Sequence, residues 1–352
     1  MILFIFLFIL LVLLLQKLQT EKNPNRIEAD HRPDQQLLEP GEPFHLEVTL
    51  KNKSRRIIPF LRVEENFADA MTPQLFTTTQ TARGSHHVEF TAWLRPGQTA
   101  VYKIPLTISK RGRYVLQQFQ LYSGDFLGLK EQVRFCGTFH EVVAVPEEFP
   151  VEALSDLFGG FLGDVSVNRF IIEDPVLTLG YREYTGREPM KMISWTQSAR
   201  SNSLMVKKYD YTVEPSVSVV LNTDCGGPAV PELLETCFSI ARSVCSMLEN
   251  RNLKYSFSSN CIPAGNLSSS RSLTEGLGQQ HFNGILEYLG QSTYDHSITI
   301  EQLLEKEAAR NTSAGCILIT PGNEPEPVRA LNRLREATGG TLLVIRSSEV
   351  IS

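Results

Sequence analysis

The chain has 352 residues, 21% of them charged and 42% hydrophobic, with a formal net charge of −5. That length and apolar content suit two domains that each bury a core, plus a short extra segment. The acidic balance excludes a general nucleic-acid binder. The six cysteines (Cys136, Cys225, Cys237, Cys245, Cys261, Cys316) form no C-x-x-C pair and no metal-ligand spacing, which fits buried free thiols in a reducing compartment.

Met1–Leu15 is an uninterrupted apolar run. As a helix it would span about 22 Å, against roughly 30 Å for a hydrocarbon core. No basic residue precedes it and no small-residue cleavage site follows, so residues 1–18 read as an uncleaved transmembrane anchor rather than a signal peptide. Lys17, Lys22, Arg26 and Arg32 all follow the run. The positive-inside rule then places a single-pass protein in the cell membrane with its body in the cytoplasm. Residues 19–40 are polar, contain Pro24 and Pro33, and read as a tether.

From residue 41 the pattern has a period of two. Phe44, Leu46, Val48 and Leu50 alternate with His45, Glu47 and Thr49. Further short runs over 57–63, 87–94, 99–108, 113–121, 129–135 and 140–145 are separated by turn residues. Together they predict an all-β sandwich over 41–146. His86 and His87, beside one of these strands, read as surface residues. Residues 147–210 read as a linker and a signature segment. Within it Phe158-Gly159-Gly160-Phe161-Leu162-Gly163 reads as a flexible loop, because it does not follow a strand in a phosphate-cradling frame.

Residues 211–352 alternate apolar strands (217–221, 255–258, 316–319, 342–345) with helical patterns (231–249, 279–289, 299–310, 326–337). This predicts an α/β, doubly wound domain with a parallel sheet covered on both faces. No G-x-S-x-G, H-E-x-x-H or Walker A pattern occurs.

The stretch 181–210 reverses the acidic balance: Arg182, Arg187, Lys191, Arg200, Lys207 and Lys208 stand against Glu183, Glu188 and Asp210, around Trp195. Arg182-Glu183-Tyr184, Gly186, Ile193, Trp195, Ser198-Ala199-Arg200, Leu204, Val206, Lys207 and Tyr209 resemble, at fixed spacing, the signature of the domain-of-unknown-function-58 family. Arg187, Lys191 and Ser194 stand where that signature usually has Asp, Arg and Asp. The resemblance implies a membrane segment, a β-sandwich and a von Willebrand A-like domain. With no nucleophile signature, the chain reads as a membrane-anchored, non-enzymatic scaffold or adaptor, and the resemblance implies a MoxR-type AAA ATPase as its partner in complex assembly or maturation. The segment itself has two readings: a structural crossover with Trp195 buried between domains, or a docking surface for a partner or an anion.

A von Willebrand A-like domain commonly holds Mg²⁺ with an Asp and two Ser after its first strand and an Asp after a later one. The matching positions here are Asn222, Asp224 and Gly226, with Thr320 at the later strand. One carboxylate among neutral oxygens predicts a degenerate site with at best weak Mg²⁺ binding, which Asn222→Asp is expected to strengthen. The rival to a scaffold is a hydrolase using Asp224 and Glu183 as acid and base.

Overall fold

The computed structural model describes residues 26–74, 79–80, 86–124, 131–169, 174–186, 188–210, 216–265, 272–310, 315–322 and 327–350. They fall into two units, residues 1–147 and 148–352.

The first unit is a β-sandwich. One sheet runs β1 (Ile27–Pro33), β3 (Pro43–Asn52), β8 (Thr99–Ile108) and β5 (Met71–Pro73). The other runs β11 (Glu131–Cys136), β10 (Phe119–Gly124), β4 (Ile58–Phe67), β7 (His86–Leu94) and β6 (Thr79–Gln80). A small third sheet joins β2 (Leu37–Leu38), β12 (His140–Ala144) and β9 (Gly112–Leu116). The alternation in β3 puts Phe44, Leu46, Val48 and Leu50 wholly inside, against Leu61, Val63, Val88 and Ile104 from the facing strands. Burial of such side chains contributes roughly 1.5–3 kcal/mol each.

Part of the expected tether therefore belongs to the sandwich. β1 pairs antiparallel with β3 along its whole length, and it buries Ile27 and His31 four residues apart. His31 Nδ1 lies 2.8 Å from Glu65 Oε1, and His31 Nε2 lies 3.0 Å from the Thr138 carbonyl. Both side chains of this pair are inaccessible to solvent or nearly so.

The second unit is built on a five-stranded sheet, β18 (Ser272–Gly276), β16 (Lys254–Ser259), β15 (Ser216–Leu221), β20 (Gly315–Thr320) and β21 (Leu342–Arg346). β16, β15, β20 and β21 are parallel, while β18 runs antiparallel at the edge. β17 (Cys261–Pro263) and β19 (Ser292–His296) form a separate pair, and β13 (Asp174–Glu183) pairs with β14 (Met205–Asp210). One sheet face packs on α1 (Val151–Arg169), α3 (Pro231–Asn250) and α4 (Gln279–Gln291). The other packs on α5 (Ile300–Arg310) and α6 (Val328–Ala337). Among the described residues the other α-helices are α2 (Trp195–Ser201) and the single turn α7 (Ser347–Val350).

Strand alternation divides the two faces. Val217, Val219 and Leu221 enter the larger core, while Val220 enters the smaller one. Ser218 binds the Glu307 carboxylate of α5, and Ser258 of β16 donates to the same carboxylate at 3.1 Å. A buried acid is thereby pinned by hydroxyls from two strands.

The three-part architecture expected from the sequence, a transmembrane helix followed by a sandwich and a von Willebrand A-like doubly wound domain, is not the one described. No helix among the described residues is long and apolar enough to cross a membrane. The transmembrane anchor and the single-pass, cytoplasm-facing placement built on it are corrected accordingly; Met1–Leu15 itself lies outside the described residues. A run of fifteen residues is physically short for a span. The sheet of the second unit is mixed rather than uniformly parallel.

The stretch 158–163 is also not a loop. It lies inside α1, where Phe158 and Phe161 are buried with Leu154 and Val165 in the larger core. Glycine costs a helix about 1 kcal/mol per residue relative to alanine, but the two phenylalanines secure it from the other side. Gly315 of β20 allows the close approach, since a Cβ there would sit 2.9 Å from Phe161 Cζ and 2.9 Å from Val165 Cγ2. All six cysteines are free and buried, and burial pushes the thiols of Cys245 and Cys316 well above the ordinary range.

Phe161→Ala is expected to destabilise the second unit by about 3–5 kcal/mol in denaturant unfolding; a loss below about 1 kcal/mol would return 158–163 to a loop. A second expectation concerns pH. Burial pushes the Glu65 carboxyl above 4.5, only partly opposed by His31. Burial alone would lower His31, but the bond to Glu65, its charge and the Thr138 carbonyl reverse this and raise it above 6.5. Both groups hold protons more tightly folded than unfolded. The His31 contribution is therefore complete below 6.5 and lost as pH rises through its raised value. The thermal midpoint of the sandwich should fall from about pH 6 to about pH 9, and His31→Gln should flatten the slope. A wild-type midpoint flat over that interval would contradict the pairing.

Candidate functional site

The carboxyl ends of parallel strands are where α/β sheets ordinarily open a crevice. Here that position is filled by the chain's own amides. Asn222 follows β15 directly and is wholly buried. Its Oδ1 accepts from the Asp224 N–H at 3.0 Å and from Asn260 Nδ2 at 2.8 Å. Its Nδ2 donates to the Asp224 carbonyl and to Thr320 Oγ1, both at 3.0 Å. Asn260, which follows β16 and is equally buried, accepts from the Thr223 N–H at 2.8 Å and from the Thr223 hydroxyl at 3.2 Å. It donates to the Ile298 carbonyl at 3.1 Å. Each amide thus makes the four bonds its two ends can make.

Asp224 is committed in the same way. Its Oδ1 accepts the Gly226 N–H at 2.8 Å, and its Oδ2 accepts the Ile300 N–H at 3.3 Å, at the start of α5. A carboxylate at a helix N-terminus meets unsatisfied N–H groups and the positive end of the helix dipole. His296 Nε2 lies 3.7 Å from Asp224 Oδ1. Gly226 takes φ of +67°, a conformation that favours glycine, and turns the chain back over Asp224.

Asn222, Asp224 and Thr320 are therefore gathered, as the sequence predicts. Their side-chain oxygens are already taken by N–H donors: Asn222 Oδ1 by Asp224 and Asn260, Thr320 Oγ1 by Asn222, and the Asp224 carboxylate by Gly226 and Ile300. A Mg²⁺ ion needs near-octahedral oxygen ligands with free lone pairs, and these residues do not fit it. Asp224 and Glu183 are not brought into contact: Asp224 is 8% exposed at the strand end, while Glu183 is exposed on β13.

The signature segment forms a small module of its own. β13 and β14 pair antiparallel with Tyr181 opposite Lys207 and Arg182 opposite Val206. On its other side β14 bridges Ile193 to Val206, both buried. Ser198 Oγ donates to the Ser194 carbonyl at 2.8 Å and accepts the Met205 N–H at 2.8 Å, tying α2 to β14. Gly186, at φ +87°, makes the turn in which Glu188 accepts from the Thr185 N–H and hydroxyl and pairs with Arg182. The Thr185 hydroxyl first, then Arg182, hold the Glu188 carboxyl down at about 2.

The signature residues thus divide. Gly186 and Ser198 shape the module, and Tyr184 is half-buried. Arg182, Glu183, Ala199 and Arg200 are exposed. Trp195 is 62% exposed rather than buried. Ile193 and Val206 fill the interior that the indole was expected to fill. Arg187 lies outside the described residues.

No protein-family model and no curated protein matches the chain. Solved structures similar to part of it include a CARDB domain from Pyrococcus furiosus in complex with di-metal ions, 13% identical over 34% of this chain and 91% of that one, at TM-score 0.23. Others are a cohesin module from a Clostridium perfringens glycoside hydrolase (13% identity, 33% and 96% covered, TM-score 0.25) and a type II cohesin domain from the cellulosome of Acetivibrio cellulolyticus (10%, 34% and 94%, TM-score 0.27).

Sequence reasoning missed Asn260 and His296. The signal for Asn260 was present, since it follows strand β16 as Asn222 follows β15. Asn222→Asp removes two donors and places a carboxylate against the Asp224 carbonyl. Rather than simply gaining metal affinity, this variant should lose about 2–4 kcal/mol in chemical denaturation, with little recovered by millimolar Mg²⁺. Wild-type stability without metal would refute the closed network.

Proposed function

We propose that this chain is a non-enzymatic interaction protein and that the module over 174–210 is its docking surface for a protein partner. The observation that carries the reading is the display of Trp195. The same short module exposes Tyr181, Met190 and Leu204. Arg182, Lys191, Arg200 and Lys208 are exposed around them in a chain of net charge −5. Aromatic and arginine side chains dominate binding energy at protein interfaces, and a basic rim favours an acidic partner surface. The internal ties through Ser198 and Glu188 hold this display rigid before any partner arrives, which reduces the ordering cost of binding. The resemblance to the domain-of-unknown-function-58 family points to an AAA-type ATPase of the MoxR type as that partner, in the assembly or maturation of a complex.

The test is direct binding of a purified MoxR-type ATPase to wild type, Trp195→Ala and Arg200→Glu. Trp195→Ala should leave the unfolding midpoint within about 1 kcal/mol of wild type, because the indole is mostly solvated. Both variants should weaken binding at least about tenfold, with the Arg200→Glu effect shrinking at high salt. No binding by the wild type, or equal binding by all three proteins, would sink the proposal.

A further inference from the structure

The outer face of the β11-β10-β4-β7-β6 sheet carries a cluster that the proposed docking function does not use. Glu64 of β4 and Glu89 of β7 are directly opposite in the register, and His87 follows on the same face two residues away, opposite Asn66. Like charges directly opposite across a strand pair destabilise a sheet. Here the pair sits in mid-strand, where the pairing of β4 and β7 is regular.

Compensation from neighbours is incomplete. Arg62 reaches both carboxylates, but it is shared. Its guanidinium lies over the Tyr122 ring at 4.2 Å and donates to Glu131 at 3.2 Å. It reaches Glu64 only at 3.4 Å and Glu89 only at 3.9 Å, and its Nε makes no hydrogen bond. Three carboxylates thus face one guanidinium. The His87 ring is positioned by a contact of 3.0 Å between its Nδ1 and Asn66 Oδ1. Fixing one ring nitrogen through a neighbouring polar side chain is the usual support for a metal-binding imidazole.

We propose that Glu64, His87 and Glu89 form a binding site for a divalent cation of the zinc class. One ligand atom from each lies within 4.8 Å of the others. A tetrahedral ion with bonds of about 2.0–2.2 Å needs its ligands about 3.4 Å apart, so closure takes a shift of at most about 1.5 Å by side-chain ends. The imidazole nitrogen selects a borderline cation such as Zn²⁺ over Mg²⁺ or Ca²⁺, which prefer all-oxygen shells. Three protein ligands leave a fourth position open to water or to a partner's donor atom. The ion would cancel the Glu64–Glu89 repulsion, and Arg62 would keep its anchors on Tyr122 and Glu131.

Titration of Zn²⁺ into the purified full chain tests this by calorimetry, with thermal unfolding followed in parallel. The expected result is saturable one-to-one binding that raises the unfolding midpoint. His87→Ala and Glu64→Gln should each weaken binding at least about tenfold. Glu89→Gln should raise the metal-free midpoint, since it removes a repulsion, while abolishing the zinc-induced rise. Co²⁺ in place of Zn²⁺ should give visible bands without the near-ultraviolet absorption of a thiolate ligand. Absence of stoichiometric binding, binding undiminished in His87→Ala, or a thiolate band from one of the cysteines would overturn the proposal.

Discussion

Two buried amides hold the end of the second unit's sheet together. Asn222 and Asn260 stand at the tips of neighbouring parallel strands and bond to each other, to Thr320 on a third strand, and to the loop that enters α5. A buried amide left without partners costs roughly 1–3 kcal/mol for each unsatisfied group, so the arrangement tolerates little drift. Strand spacing, the turn at Gly226 and the start of α5 are all tied to the same few bonds.

The same solution recurs inside both units. Glu307 is held by Ser218 of β15 and Ser258 of β16, and His31 pairs with Glu65 and contacts a carbonyl. Each device fixes register, because a shift of one residue would carry the polar group to the wrong face. Ser218 illustrates this: moved by one position along β15, it would face the larger apolar core. Polar groups in these interiors specify which strand lies where, while the apolar residues around them supply most of the driving force.

The sandwich was legible because β3 alternates without interruption, and the alternating strands and helices of the second unit were legible from their apolar runs. Three features were not. α1 was hidden by three glycines, and only its packing against Gly315 overrides their poor propensity. β1 was hidden because its two buried residues, Ile27 and His31, are four apart and one of them is polar. Trp195 stayed open between a buried and a displayed reading, because aromatic side chains serve cores and interfaces alike. At the strand ends the sequence named Asn222, Asp224 and Thr320, but chain order could not reveal that their partner is an asparagine 38 residues further on.

The cysteines give the two units a built-in record of their own opening. Five thiols lie in the second unit and one, Cys136, in the first, and all are out of solvent's reach when the chain is folded. A thiolate is the reactive form, and burial suppresses it further at Cys245 and Cys316. Alkylation of these positions therefore waits on fluctuations that expose them. The mass gained under native conditions, one adduct or several, would report which unit breathes first and how cooperatively the larger core lets go.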